Sequence, residues 1–185
     1  MNLIHSLAGN LAIGVLSCLL APAHAADAQL SVRQEGWQLS VEGWLVTPVK
    51  RATAWAVLTD YAHFPEFVPG VQSNQVLEAH DDVKTVAQRG EIMNGPIRMP
   101  YDGVMRIEES PRRGLKILFL SGLFKDVQGE WRLGEDTPLK LSYCMRMDLM
   151  KSPFPPPVAV PMAEQQVRMW VTVFGREMQR REGAR

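Results

Sequence analysis

Beyond residue 25 the chain holds two histidines, His63 and His80, and one cysteine, Cys144. Neither histidine has a partner at metal-ligand spacing and no cysteine pair accompanies them, so no metal site is expected. His80 next to Asp81-Asp82 reads as a polar turn. Cys144 sits in an apolar stretch with no His-Asn pair nearby in sequence. It reads as a buried small hydrophobe, with a nucleophile or a dimer link as alternatives. The Asp60-Tyr61 pair could act as a base and a polarising hydroxyl. The same two residues also read as a helix end, with Asp60 bonding nearby backbone. Arg89 and Tyr101 are the candidates for polar groups facing an apolar interior. An inward arginine would be costly unless it held a polar ligand head or a carboxylate. No G-x-G-x-x-G, G-x-x-x-x-G-K-[ST] or G-x-S-x-G pattern occurs. Dinucleotide, nucleotide and serine-hydrolase chemistry therefore have no anchor, and no cofactor is implied.

The elements that must position these residues follow from periodicity. Leu30 to Val46 reads as two strands around Gln34-Glu35-Gly36, with Trp37, Leu39, Val41, Gly43 and Leu45 on one face of the second. A short helix carries Ala54, Trp55 and Leu58, and a Pro-bounded turn of helix spans Phe64 to Phe67 before Pro69-Gly70 releases a strand. Strand-like runs then cover Val71–Ala79, Val83–Met93, Met99–Glu109, Leu115–Ser121, Lys125–Leu133 and Leu139–Leu149, separated by turn residues such as Asn94-Gly95-Pro96. Hairpin-linked strands in this order argue for one antiparallel sheet. In the third run Tyr101, Gly103, Met105 and Ile107 share a face, which turns Arg106 outward with Asp102 and Glu108; Arg132 alternates outward from Trp131 and Leu133. Pro153-Phe154-Pro155-Pro156-Pro157 reads as a stiff linker. From Val158 the period becomes helical, with Ala163, Val167, Trp170, Val171, Phe174 and Met178 on one stripe.

The totals bound the class. The 185 residues suit one domain with its own core, and 46% apolar with 22% charged residues is an ordinary globular composition. Twenty basic and twenty acidic residues cancel. That leaves no basic surplus for a nucleic-acid partner and favours at most transient membrane contact. The first 25 residues lack Lys, Arg, Asp and Glu, Leu11 to Ala21 is mostly apolar, and Ala23-His24-Ala25 is a small-x-small site. This is the layout of a cleaved secretory leader, residues 1–25, followed by a single domain over 26–185 and export to the periplasm. Two alternatives are a retained leader and lipidation at Cys18.

The passage T-A-W-A-V-L-T-D-Y-A-H-F-P-E-F-V-P-G-V-Q-S-N-Q from Thr53 to Gln75 resembles the START-like (SRPBCC) superfamily, in its polyketide cyclase/dehydrase and coenzyme Q-binding branch. The strand Gly129-Glu130-Trp131-Arg132-Leu133 and the Pro-rich approach to the last helix support the resemblance. It implies an α+β helix-grip fold: a curved antiparallel sheet wrapped around a long C-terminal helix, with two short helices after the first strands. It further implies a hydrophobic small molecule or lipid (quinone, isoprenoid or acyl lipid) as partner, held in a sheet–helix cavity. Met105, Ile107, Phe119, Trp131, Tyr143, Met145, Trp170 and Phe174 are the expected cavity lining, with Arg89 and Tyr101 as polar contacts. Binding without transformation is the favoured reading. The alternatives are a cyclase or aromatase-like enzyme and a ligand-free protein interaction module.

Overall fold

A computed structural model describes residues 27–94 and 97–184. The leader, its cleavage site and the Gly95-Pro96 turn lie outside the described residues. The chain runs β1 (Gln29–Glu35), β2 (Gln38–Thr47), α1 (Arg51–Leu58), a 3-10 turn (Tyr61–His63) and α2 (Phe64–Phe67). It continues through β3 (Val71–His80), β4 (Val83–Asn94), β5 (Ile97–Ser110), β6 (Gly114–Phe119), β7 (Gln128–Leu133) and β8 (Leu139–Asp148) to α3 (Pro156–Gly183). All eight strands form one antiparallel sheet in the order β1-β2-β8-β7-β6-β5-β4-β3. The expected α+β helix-grip arrangement is what the chain adopts.

Alternation sets the sheet's two faces. Leu39, Val41 and Leu45 of β2 and Leu141, Tyr143 and Met145 of β8 are buried, with Val41 opposite Met145, Leu45 opposite Leu141 and Tyr143 opposite Gly43. On the opposite face Glu130 takes two hydrogen bonds from Arg132, at 3.0 and 2.8 Å, and Arg106 pairs with Glu108 at 3.2 Å. The face assigned to solvent from the sequence is thus a ladder of surface ion pairs. Such pairs contribute little stability but keep one side of the sheet wet.

The other face is closed by α3, 28 residues long, which spans about 42 Å. Ala159, Ala163, Val167, Val171, Phe174 and Met178 of this helix are buried. Each large apolar side chain buried here contributes roughly 1.5–3 kcal/mol. Gly175 lets the helix sit close to β2, because a Cβ there would stand 2.7 Å from a Leu45 methyl. The helix starts at Pro156 rather than Val158. Prolines fit a first helical turn, where the missing N–H would have had no partner.

Two further boundaries differ from the sequence expectation. Trp37 belongs to the β1–β2 turn, not to the inward face of β2, and is 52% exposed. The strand expected from Lys125 begins only at Gln128. The chain from 120 to 127 is a loop, turned by a bond from the Lys125 N–H to Gly122 O and by a φ of 71° at Asp126.

A second set of contacts ties the segment from α1 to α2 onto the C-terminal end of α3. The Arg181 guanidinium donates to Asp60 at 2.7 Å and to Glu177 at 2.6 Å, and the His63 ring bonds Asp60 at 2.6 Å. The Thr53 hydroxyl donates to Glu182. Asp60 therefore does more than end a helix: it is an anchor to a residue 121 positions away.

Candidate functional site

Between the inner face of the sheet and α3 lie three neighbouring chambers that share wall residues. The inner one, about 40 Å³, is walled by Leu58, Phe64, Ile107, Trp131 and Phe174. It shares Val71, Gln88, Phe119 and Trp170 with a middle chamber of about 210 Å³. The middle one shares Ile92, Phe124, Val127, Met145 and Gln166 with an outer chamber of about 60 Å³, which Phe154, Ala159 and Met162 roof. Taken together they fall at the lower edge of the roughly 300–1,000 Å³ of small-molecule pockets. Lys125, Asp126, Asp148 and Lys151 stand at the outer rim, where Lys151 pairs with Asp126 at 3.1 Å.

The walls are held by aromatic packing. Phe174 meets Phe64 and Phe67 edge-on, at 5.2 and 5.3 Å between ring centroids, and lies tilted on Trp131 at 4.8 Å. Phe124, from the 120–127 loop, packs on Tyr101 at 5.4 Å and on Phe119 at 5.7 Å. The loop reaches into the cavity because Phe119 and Val127 pair across its base, Phe119 N–H to Val127 O at 3.0 Å.

One line of polar side chains crosses this apolar surface. The Tyr101 hydroxyl donates to Gln88 Oε1 at 2.9 Å, Gln88 Nε2 donates to Asn74 Oδ1 at 3.1 Å, and Asn74 Nδ2 donates to the Tyr61 carbonyl at 2.9 Å. The Tyr61 hydroxyl in turn donates to Glu109 at 2.8 Å. Burial pushes the Tyr101 phenol up to about 12, and burial with the bond to Glu109 raises Tyr61 further. Both phenols stay protonated at neutral pH, so each can donate a hydrogen bond but neither serves as a general base.

Of the expected lining, Met105, Ile107, Phe119, Trp131, Trp170 and Phe174 meet in the inner chamber, Met145 and Tyr101 in the middle one. Tyr143 lies behind them instead. It is 0% exposed, packed on Trp131 at 4.7 Å and Trp170 at 5.0 Å, and its hydroxyl has no hydrogen-bond partner among the described residues. Arg89 is misplaced in the sequence reading: it sits on the outer face of β4 beside Asp102 and Ser73. Alternation turns its neighbours Gln88 and Gly90 inward. Gln88 and Asn74 are the polar groups that sequence reasoning missed. The available signal was the phase of β4, since Val86, Gln88, Gly90 and Ile92 fall on one face.

Gly90 makes room for the polar line. A Cβ there would stand 2.1 Å from Gly70 O and 3.0 Å from the Tyr101 ring and hydroxyl. Cys144 faces the other way, its sulfur 3.4 Å from the Ser40 hydroxyl on the outer side of the sheet. Among the described residues no group of His, Cys, Asp and Glu could hold a metal ion, and no helix is long and apolar enough to cross a membrane.

The segment that flanks the inner chamber carries two titrating groups that bond each other, Asp60 and His63. Burial works against ionising Asp60, yet the hydrogen bonds from His63 and Arg181 hold its carboxyl below the ordinary 3.8. The bond to Asp60, its charge and that of Glu66 raise the exposed His63 above 6.5, against the opposing charge of Arg181. The stabilisation from His63 is therefore full below its unfolded value and is lost as pH climbs through the raised one. That from Asp60 is present above its unfolded value and is lost as pH falls through the lowered one. The melting-temperature deficit of His63→Gln against the native chain is thus expected to be largest near about pH 5.5 and to vanish by about pH 9. A deficit independent of pH would show that the ring acts by packing alone.

A family model described as polyketide cyclase / dehydrase and lipid transport matches residues 47–174. No curated protein matches the sequence. Among solved structures, the Zhui aromatase/cyclase from Streptomyces sp. R1128 is similar at a TM-score of 0.60 and 17% identity, over 78% of this chain and 95% of that one. A STAR-related lipid transfer protein from Xanthomonas axonopodis gives 0.62 and 13%, over 83% and 99%. A START superfamily protein from Mycobacterium smegmatis gives 0.62 and 14%, over 76% and 97%. At these identities the likeness is one of fold.

Proposed function

Because the chain belongs to the polyketide cyclase/dehydrase and lipid transport family, we propose that it is an exported protein which binds a hydrophobic small molecule or lipid between sheet and helix and releases it unchanged. The observation that carries this reading is the wall of the chambers. Large apolar side chains meet there around a polar line in which the protonated Tyr101 phenol and the Gln88 and Asn74 amides are bonded to one another. Such a wall desolvates a ligand, each buried methylene contributing about 0.8 kcal/mol, and orients it without moving protons. Quinones, isoprenoids and acyl lipids are the ligand classes put forward.

The second reading, cyclisation of a polyketide-like chain, draws on the family's description and on the aromatase/cyclase neighbour. It would use Tyr101 to bond a ketone oxygen. Export is the part of the proposal that rests on Leu11 to Ala21 and the Ala23-His24-Ala25 site.

One measurement tests binding and export together: native mass spectrometry of the protein from its own host, followed by extraction of whatever it carries. The expected result is a chain beginning at Ala26 with a discrete hydrophobe that leaves on denaturation. A bare mass, with no thermal shift from quinones, isoprenoids or acyl lipids, would overturn the binding reading. A chain still carrying Met1 would overturn cleavage of the leader after Ala25.

A further inference from the structure

The chambers are not uniformly apolar from end to end, and the position of their polar part restricts what fits. The inner chamber is walled mainly by hydrocarbon and aromatic side chains, as is the outer chamber beneath its charged rim. Between them the sheet offers Gln88 and Tyr101, and α3 offers Gln165 and Gln166 from the opposite side. Resting on the binding reading above, we infer that the ligand is an uncharged molecule with an oxygen function at its middle, a ketone, ester or secondary alcohol, flanked by two apolar arms.

Three observations carry this. First, the hydrogen-bonding capacity at the waist is not exhausted. Gln88 Nε2 gives one of its two N–H groups to Asn74, and Asn74 Nδ2 gives one of its two to Tyr61. Each amide nitrogen keeps a second donor, and the Tyr101 oxygen keeps a lone pair for a ligand hydroxyl. An acceptor oxygen is what this arrangement completes.

Second, the charge balance disfavours a carboxylate. The charged residue among the walls of the middle and inner chambers is Glu91, whose sign repels one, and it pairs outward with Arg98 at 3.6 Å. At the rim Lys125 and Lys151 are matched by Asp126 and Asp148. A buried carboxylate without a cation would bear a large desolvation cost. Third, past the Asn74 and Gln88 amides the inner chamber is walled by Leu58, Phe64, Ile107, Leu115, Trp131 and Phe174, so a hydrocarbon arm suits its far end.

Displacement of N-phenyl-1-naphthylamine from the full chain tests the inference with undecan-6-one, undecan-2-one and undecanoate. The two ketones are isomers of nearly equal hydrophobicity, so the comparison isolates the position of the oxygen. Undecan-6-one is expected to bind about tenfold more tightly than either of the others, the scale of a donor left unpaired in a dry site. Gln88→Leu is expected to bring undecan-6-one down to the level of undecan-2-one. Tyr101→Phe, which removes a hydroxyl without altering the ring, should weaken it by a smaller factor, with melting temperature confirming that each variant is folded. Equal binding of the two ketones, or tighter binding of undecanoate through the rim lysines, would overturn the inference while leaving the binding reading intact. Failure of the fluorophore and all three probes to bind would overturn both.

Discussion

Phe174→Ala is expected to lower the unfolding free energy by about 3–5 kcal/mol. The ring is 4% exposed and touches Phe64, Phe67 and Trp131, so it joins α2, α3 and β7 at one point. Truncation removes its transfer free energy and leaves a void the neighbours fill only in part. That void opens onto the inner chamber. The same variant is therefore expected to shift preference toward bulkier ligands and to recover stability when one is bound. Urea unfolding with and without a long-chain ketone measures both effects. A loss below about 1 kcal/mol would mean that α2 collapses into the space, and the chamber would then be soft rather than pre-formed.

Gly90→Ala is expected to cost about 3 kcal/mol, the upper end for adding one methyl to a packed site. The obstruction is backbone: the new carbon would lie 2.1 Å from Gly70 O, which already accepts the Glu91 N–H at 2.7 Å. Relief requires the start of β3 to part from the later half of β4, where Val71 pairs with Gly90, or Tyr101 to leave its bond with Gln88. Either movement weakens the polar waist, so affinity for a mid-chain ketone should fall along with stability. Gly183→Ala is the matching control. Open space surrounds Gly183 at the end of α3, and alanine there should leave melting unchanged or slightly raised.

Much of this architecture could be read from residue order. Leu39, Val41 and Leu45, or Val167, Val171, Phe174 and Met178, are regular because each faces one uniform environment. Regularity fails where the environment is mixed. The inward set of β4 combines Val86, Ile92, Gln88 and Gly90, and a face that lines a half-polar cavity carries no clean alternation for the eye to follow. Arg89 lies on the outer face of β4, and its neighbour Gln88 is the one that lines the chambers. Tyr143 shows the converse limit: period two places it inside, but only the packing of Trp131 and Trp170 puts it behind the wall. The link between Asp60 and Arg181 spans most of the chain and leaves no local trace. Period two extends the inward face of β2 back to Trp37, but the strand begins at Gln38 and a turn residue need not follow its alternation.

The prolines at the start of α3 give the helix two mechanical regimes. Pro161 has no N–H to offer the carbonyl of Pro157, and the turns around it form the roof of the outer chamber through Ala159 and Met162. The far end is riveted by Glu177, Arg181 and Asp60. Under the proposed function a ligand would enter by opening at the proline end while the other end keeps its grip, so ligand exchange and unfolding are expected to have separate barriers.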